Sequence, residues 1–205
     1  MRARFAAGTL AALAWTALAL QLFLTLRLSL ANGNGLAHGA WIFLAYFTVL
    51  SNLFVAIVAT LASARADGGI DLRWRGCAVT AIALVGLGYH LLLSKSVQLH
   101  GPDRVADLLL HYAVPLAALG WWLLFPPRGR IAATAPWRWL AWPAVYAAYA
   151  LARGAMTGFY PYPFIDVAAL GAVRVALNVA ALALAFLLVG YALRWSANAR
   201  VRSPR

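Results

Sequence analysis

Charge is what this chain has least of. Of its 205 residues 11% are charged, only five of those are acidic, and 64% are hydrophobic. A soluble domain is about a quarter charged and close to half apolar, so this composition argues against a water-soluble globule and for a bilayer. Cysteine is also scarce. Cys77 stands alone, which excludes an intrachain disulfide and a cysteine-built metal knuckle and leaves it as a small packing residue. The chain has no internal repeat, no low-complexity tract and no GxSG-type elbow of an intramembrane serine protease in its apolar segments.

What it does have is long apolar runs. Six are present, at about 5–30, 40–63, 74–97, 105–125, 137–156 and 169–194. A helix needs about 20 apolar residues to cross a bilayer, and barrel strands would alternate over about 10 residues instead. The expected fold is an all-α integral membrane protein, a six-transmembrane-helix bundle forming one domain over 1–205. The first run follows Met-Arg-Ala-Arg but is longer than the apolar stretch of a signal peptide, about 7–15 residues, so it is expected to be retained.

The net charge of +12 invites a nucleic-acid reading. Its placement argues otherwise. Arg2 and Arg4 precede the first run. Arg65, Arg73 and Arg75 flank the second loop, and Arg128, Arg130 and Arg138 flank the fourth. Arg194, Arg200, Arg202 and Arg205 close the chain. Twelve of the seventeen basic residues thus fall on one side, the positive-inside pattern. Both termini are then cytoplasmic, and the charge serves topology and anionic headgroups rather than nucleic acid. The Arg- and Ala-rich composition suggests a high-GC bacterium, so the expected setting is a bacterial inner membrane.

Topology fixes depth, and depth collects polar residues. Thr48, His90, His111, Arg153, Arg174 and Asn178 all fall in the outer leaflet. They also form stripes: Thr48 with Asn52, His90 with Ser94, Asp107 with His111 and Arg174 with Asn178 at i, i+4, and Tyr146, Tyr149 and Arg153 at i, i+3, i+7. Such spacing puts side chains on one helical face. Each residue has an ordinary explanation. A membrane threonine bonds back to a helix carbonyl, Asn52 glues helices, and arginines near an interface snorkel. Their convergence favours an outward-facing cavity. There a threonine hydroxyl needs a base, and a histidine supplies one near neutral pH. Thr48 and His111 lie at matching depth, and Asp107 is placed to orient the imidazole. Asn52, Asn178, His90 and Arg153 are the candidate oxyanion donors. The segment TGFYPYPFID, 157–166, reads either as an interfacial turn or as a rigid lid over the cavity, with Asp166 facing an arginine or a substrate.

Three motifs together, YFTVLSN, HYAVP and TGFYPYPFID, resemble the androgen-induced and androgen-dependent TFPI-regulating membrane proteins, and more closely their prokaryotic six-helix relatives. The resemblance covers nearly the whole chain by topology, and the aromatic loop is its most specific part. It implies a multi-pass hydrolase of fatty acid esters with Thr48 as nucleophile and His111 as its partner. It puts Asp166 in the place of the family's acid after YPF, in the same aromatic loop as Tyr162.

The expected function is therefore hydrolysis of lipid-like carboxylic esters by Thr48 and His111, supported by Asn52, His90, Asp107, Arg153, Tyr162, Asp166 and Asn178. No cofactor or metal is expected, and the partner is a membrane lipid or fatty-acyl ester. The alternative is a non-enzymatic lipid-binding or transport protein. A zinc hydrolase built on His90, His111 and Asp107 ranks below both, because catalytic zinc takes three well-placed protein ligands.

Overall fold

The computed structural model describes residues 1–65, 70–95, 98–127 and 129–201. Arg128, Arg202 and Arg205, expected on the basic face, lie outside the described residues. Among those described, regular structure is helix throughout.

Helix α1 (Arg2–Ala31) packs antiparallel on α3 (Phe47–Ala64). The contact is made by small side chains, Ala7, Ala11, Ala14 and Ala17 facing Val55, Ala56, Ala59 and Ala62, all buried. Small residues let helix backbones approach closely in lipid, where no hydrophobic force draws helices together. Arg4 Nε donates to Ser63 O at 2.7 Å and Trp15 Nε1 to Thr60 Oγ1 at 3.1 Å, which fixes the direction of the pair. The run expected at 40–63 is not one helix. A short α2 (Leu36–Phe43) precedes α3, with a break at Leu44–Tyr46. Two tyrosines of a later helix fill the break: Tyr149 donates to Leu44 O at 3.2 Å and Tyr146 to Ala45 O at 3.0 Å. A helix end in lipid needs such partners for its free carbonyls.

Helix α4 (Leu72–Gly88) is capped by Asp71, whose Oδ1 accepts from Arg73 N at 2.8 Å. The Arg73 guanidinium beside it holds the exposed Asp71 carboxyl below the usual carboxylate range. The helix runs on into a π-helical turn, Tyr89–Leu93. Next come α5 (Gly101–Leu108), a second π turn (Leu109–Ala113) and α6 (Val114–Leu124), forming one continuous rod. Proline explains that second turn. Pro115 has no N–H and its ring would press on the carbonyl four residues back, at His111. Widening the helix by one residue relieves the clash, and Val114 N bonds to Leu109 O instead. Gly86 of α4 faces the turn. A Cβ there would stand 3.1 Å from His111 O and from Pro115 Cβ, so the two helices meet closely only because this position is glycine.

The run expected at 137–156 is divided into α7 (Ala135–Trp139) and α8 (Ala141–Thr157). Pro143 cannot donate to Trp139 O, and the Cys77 thiol approaches that carbonyl at 3.5 Å. Helix α8 ends at Gly158 in the left-handed region, φ 71°, a conformation that suits glycine. The aromatic segment follows, with a 3-10 turn (Pro163–Ile165), then α9 (Val167–Leu170) and α10 (Ala172–Val201).

Five of these segments are long and apolar enough to cross a membrane: Arg2–Ala31, Phe47–Ala64, Leu72–Leu93, Gly101–Leu124 and Ala172–Arg200. Leu116, Val145, Leu177, Leu184 and Leu188 point outward and exposed, as expected of surfaces in contact with lipid. The chain is a multi-pass membrane protein.

Candidate active site

Because the chain breaks at Leu44–Tyr46, Thr48 is not buried mid-helix. It occupies the first turn of α3, where backbone N–H groups have no partner within the helix. The Thr48 amide finds one in Tyr162, donating to the phenol oxygen at 3.3 Å. The Thr48 hydroxyl lies 3.4 Å from the same phenol and 3.3 Å from His111 Nε2.

His111 sits inside the π turn of the α5–α6 rod. Its Nδ1 faces two acceptors of Asp107, the carboxylate Oδ1 at 3.0 Å and the backbone O at 3.1 Å. Two acceptors place the proton on Nδ1 and leave the Nε2 lone pair directed at Thr48. Asp107 is held in turn by Tyr89, which donates to Oδ2 at 2.7 Å. The Tyr89 ring also stacks on the imidazole, centroids 3.9 Å apart and planes 18° from parallel. The result is a chain Tyr89–Asp107–His111–Thr48 with each member oriented by the next. Both π turns lie in it, and such turns are frequent where side chains must be re-aimed at a functional site.

Asn52 supports this arrangement from below. Its Nδ2 donates to Thr48 O at 2.8 Å and to Leu110 O at 3.3 Å. In the i to i+5 pattern of the turn, Leu110 O would take the N–H that Pro115 lacks. Asn52 therefore closes a gap opened by the proline and ties the two catalytic candidates' helices together. Ser51 accepts from Trp142 Nε1 at 3.3 Å and is a packing contact.

The Thr48 and His111 side chains open on a cavity of about 200 Å³ between α4, α8 and α10. Its wall is almost all carbon, including Leu84, Leu92, Pro143, Leu182 and Ala183. The aromatic segment closes one side through Tyr162, Phe164 and Ile165. Tyr162 stacks on Phe164 at 5.1 Å and meets Tyr46 edge-on at 5.8 Å. Asn178 of α10 holds this segment by donating to Phe164 O at 2.8 Å. Burial pushes the Tyr162 phenol above its ordinary pKa, so it stays protonated.

The other sequence candidates sit apart from this wall. His90 is exposed, with Nδ1 3.3 Å from Tyr112 OH. Asp166 caps α9, accepting from Ala169 N at 3.0 Å. Arg153 is buried, stacked 3.9 Å over Trp41, with Nη1 donating to Tyr149 OH at 3.1 Å. The stripe of Tyr146, Tyr149 and Arg153 is thus largely committed to seating α2 and the helix break. Tyr89 is the residue that sequence reasoning passed over. No spacing marks it, because its partners Asp107 and His111 belong to another helix. Among the described residues, no three His, Cys, Asp or Glu side chains gather in a metal-binding group.

No protein-family model, curated protein or solved structure matches this chain.

Proposed function

We propose that this protein hydrolyses carboxylic esters of lipid-like molecules within the membrane, with Thr48 as nucleophile, His111 as general base and Asp107 as the group that orients the imidazole. The observation that carries the reading is the 3.3 Å approach of Thr48 Oγ1 to His111 Nε2 at the wall of an apolar cavity. A base must lie within hydrogen-bond reach of the proton it takes, and the base is itself oriented by a third group.

In the first half-reaction His111 Nε2 takes the hydroxyl proton as Thr48 Oγ1 bonds to the ester carbonyl carbon. The carbonyl π pair moves to oxygen. Collapse of that intermediate breaks the bond to the leaving alcohol, which receives the proton from His111. Water then attacks the acyl-threonine by the same route, releasing the acid and restoring Thr48. The cavity is smaller than the roughly 300–1,000 Å³ that encloses a drug-sized ligand. It therefore seats the acyl segment next to the ester and leaves the rest of the chain in lipid. The substrate class is a fatty-acyl ester.

The same reading takes 137–156 as a sixth crossing; an even number leaves both termini on one side, and the basic loops favour the cytoplasmic side of a bacterial inner membrane. Helix α8 has 17 residues, about 26 Å at 1.5 Å per residue, close to the roughly 30 Å of hydrocarbon.

The carbon-lined wall also favours a second reading, a lipid-binding or transport protein that holds an acyl chain without cleaving it. Labelling with an activity-based fluorophosphonate separates the two. Wild type in membranes should label, and Thr48→Ala and His111→Ala should not. Equal labelling of all three removes Thr48 as the nucleophile. No labelling of wild type, with copurified acyl lipid left intact, supports the binding reading.

A further inference from the structure

Ester cleavage through a tetrahedral intermediate requires a donor for the negative charge that develops on the carbonyl oxygen. The four donors suggested by sequence are otherwise placed. Asn52 Nδ2 bonds to two backbone carbonyls, and Asn178 Nδ2 holds Phe164 O. His90 is turned toward Tyr112, and Arg153 is stacked on Trp41. None of the four lines the cavity. The polar side chains on its wall, among the described residues, are Thr48, His111, Tyr89, Tyr146 and Tyr162. The hydroxyl protons of Tyr89 and Tyr146 are committed, to Asp107 Oδ2 and to Ala45 O. Tyr162 differs. Its oxygen accepts the Thr48 amide, and its own proton is shared between weak acceptors, the Thr48 hydroxyl at 3.4 Å and the neighbouring Tyr146 hydroxyl.

We infer that Tyr162 is the oxyanion donor of this site, a role that rests on the ester-hydrolase reading above. The new Oγ1–C bond places the oxyanion beside Thr48, on the side where the phenol already stands. As the π pair moves onto oxygen, the Tyr162 O–H swings from Thr48 Oγ1 to the oxyanion. The phenol stays protonated through the cycle, giving a hydrogen bond and not a proton. Its position is set before substrate arrives, by the Phe164 stack, the edge contact with Tyr46 and the Thr48 amide in the first turn of α3. The positive end of that helix adds to the stabilisation of negative charge there.

The test uses purified full-length protein in nanodiscs and a matched pair of long-chain p-nitrophenyl substrates, an ester and its thionoester. Sulfur accepts hydrogen bonds poorly, so a working oxyanion donor makes the thionoester the much slower substrate. Tyr162→Phe keeps the ring and its stacking. It should lower kcat on the ester about 10²–10³-fold, the usual cost of one such donor, with KM within about threefold. It should also collapse the ester-to-thionoester ratio toward one. A kcat within twofold of wild type and an unchanged ratio overturn the assignment. Should the variant fail to fold, wild type decides alone: equal rates on the two substrates overturn it. A wild type that cleaves neither substrate overturns the hydrolase reading and this role with it, whereas cleavage that is lost in Thr48→Ala but indifferent to Tyr162→Phe overturns the donor alone.

Discussion

The α5–α6 rod carries two buried polar clusters, one at its C-terminal end and one at the π turn near its middle, and they are built on opposite plans. At the C-terminal end Arg75 reaches in from α4. Its Nη2 donates to Trp121 O at 2.8 Å and to Phe125 O, and its plane lies 4.0 Å over Trp121. Trp122 Nε1 donates to Leu193 O and Ser196 Oγ, and Arg200 Nη1 to Leu123 O. The two arginines there end on backbone carbonyls at the C-terminus of α6, Trp121 O, Leu123 O and Phe125 O, where a cation is favoured. Around His111, at the π turn, side chains meet side chains, and a cavity lies beside them. Burial of a polar group in a membrane is thus no sign of function by itself. What its hydrogen bonds end on, and whether space adjoins them, separates a clamp from a site.

Substitutions can break or sharpen this contrast. The largest expected effect is at Thr48. Thr48→Ala should remove ester cleavage by about 10³-fold or more while moving the melting midpoint in detergent by only a few degrees. Arg75→Ala should do the reverse. Stability should fall by about 2–4 kcal/mol because buried carbonyls lose their donor, with turnover per folded molecule nearly unchanged. Equal damage to activity in both would erase the distinction.

Asp107→Asn comes next, and initial rates against substrate concentration will read it. Loss of the orienting carboxylate costs up to about 10⁴ in a triad. Here the Asp107 backbone carbonyl also accepts from Nδ1, so the tautomer survives and about 10²-fold in kcat is expected. Gly86→Ala should follow, at about tenfold in kcat and 1–2 kcal/mol of stability, since its Cβ presses on His111 O and Pro115 in a packed interface. Tyr89→Phe is the smallest, a few-fold in kcat. It keeps the ring stacked on His111 and deletes one hydrogen bond to Asp107, a bond made before and during the reaction alike, so its loss falls mainly on stability and little on kcat. A Tyr89→Phe loss exceeding that of Asp107→Asn would mean the phenol acts on substrate directly.

The sequence made the membrane character legible through run length and missing charge. It also brought Thr48, Asp107 and His111 together by depth and spacing, and the structure sets these three side by side. Two things resisted reading. Apolar runs are blind to breaks: Leu44–Tyr46 is as hydrophobic as the helices it separates, so 40–63 looked continuous, and the carbonyls that mark the break are satisfied by tyrosines about a hundred residues on. Depth is also blind to rotation. His90 shares the level of His111 but turns outward, while Tyr89, one residue earlier, turns in. That choice is made by helix packing, which a single stripe of polar residues does not encode.

Each π turn has a consequence in the currency of insertions. It amounts to one residue added to an ordinary helix, and one residue is about 100° of rotation. Deleting Leu109 would carry Asp107 and everything before it round by that angle relative to His111, while Pro115, Trp121 and Trp122 stayed seated. By this reckoning a single residue's worth of helix beside a proline is what sets Asp107 against His111.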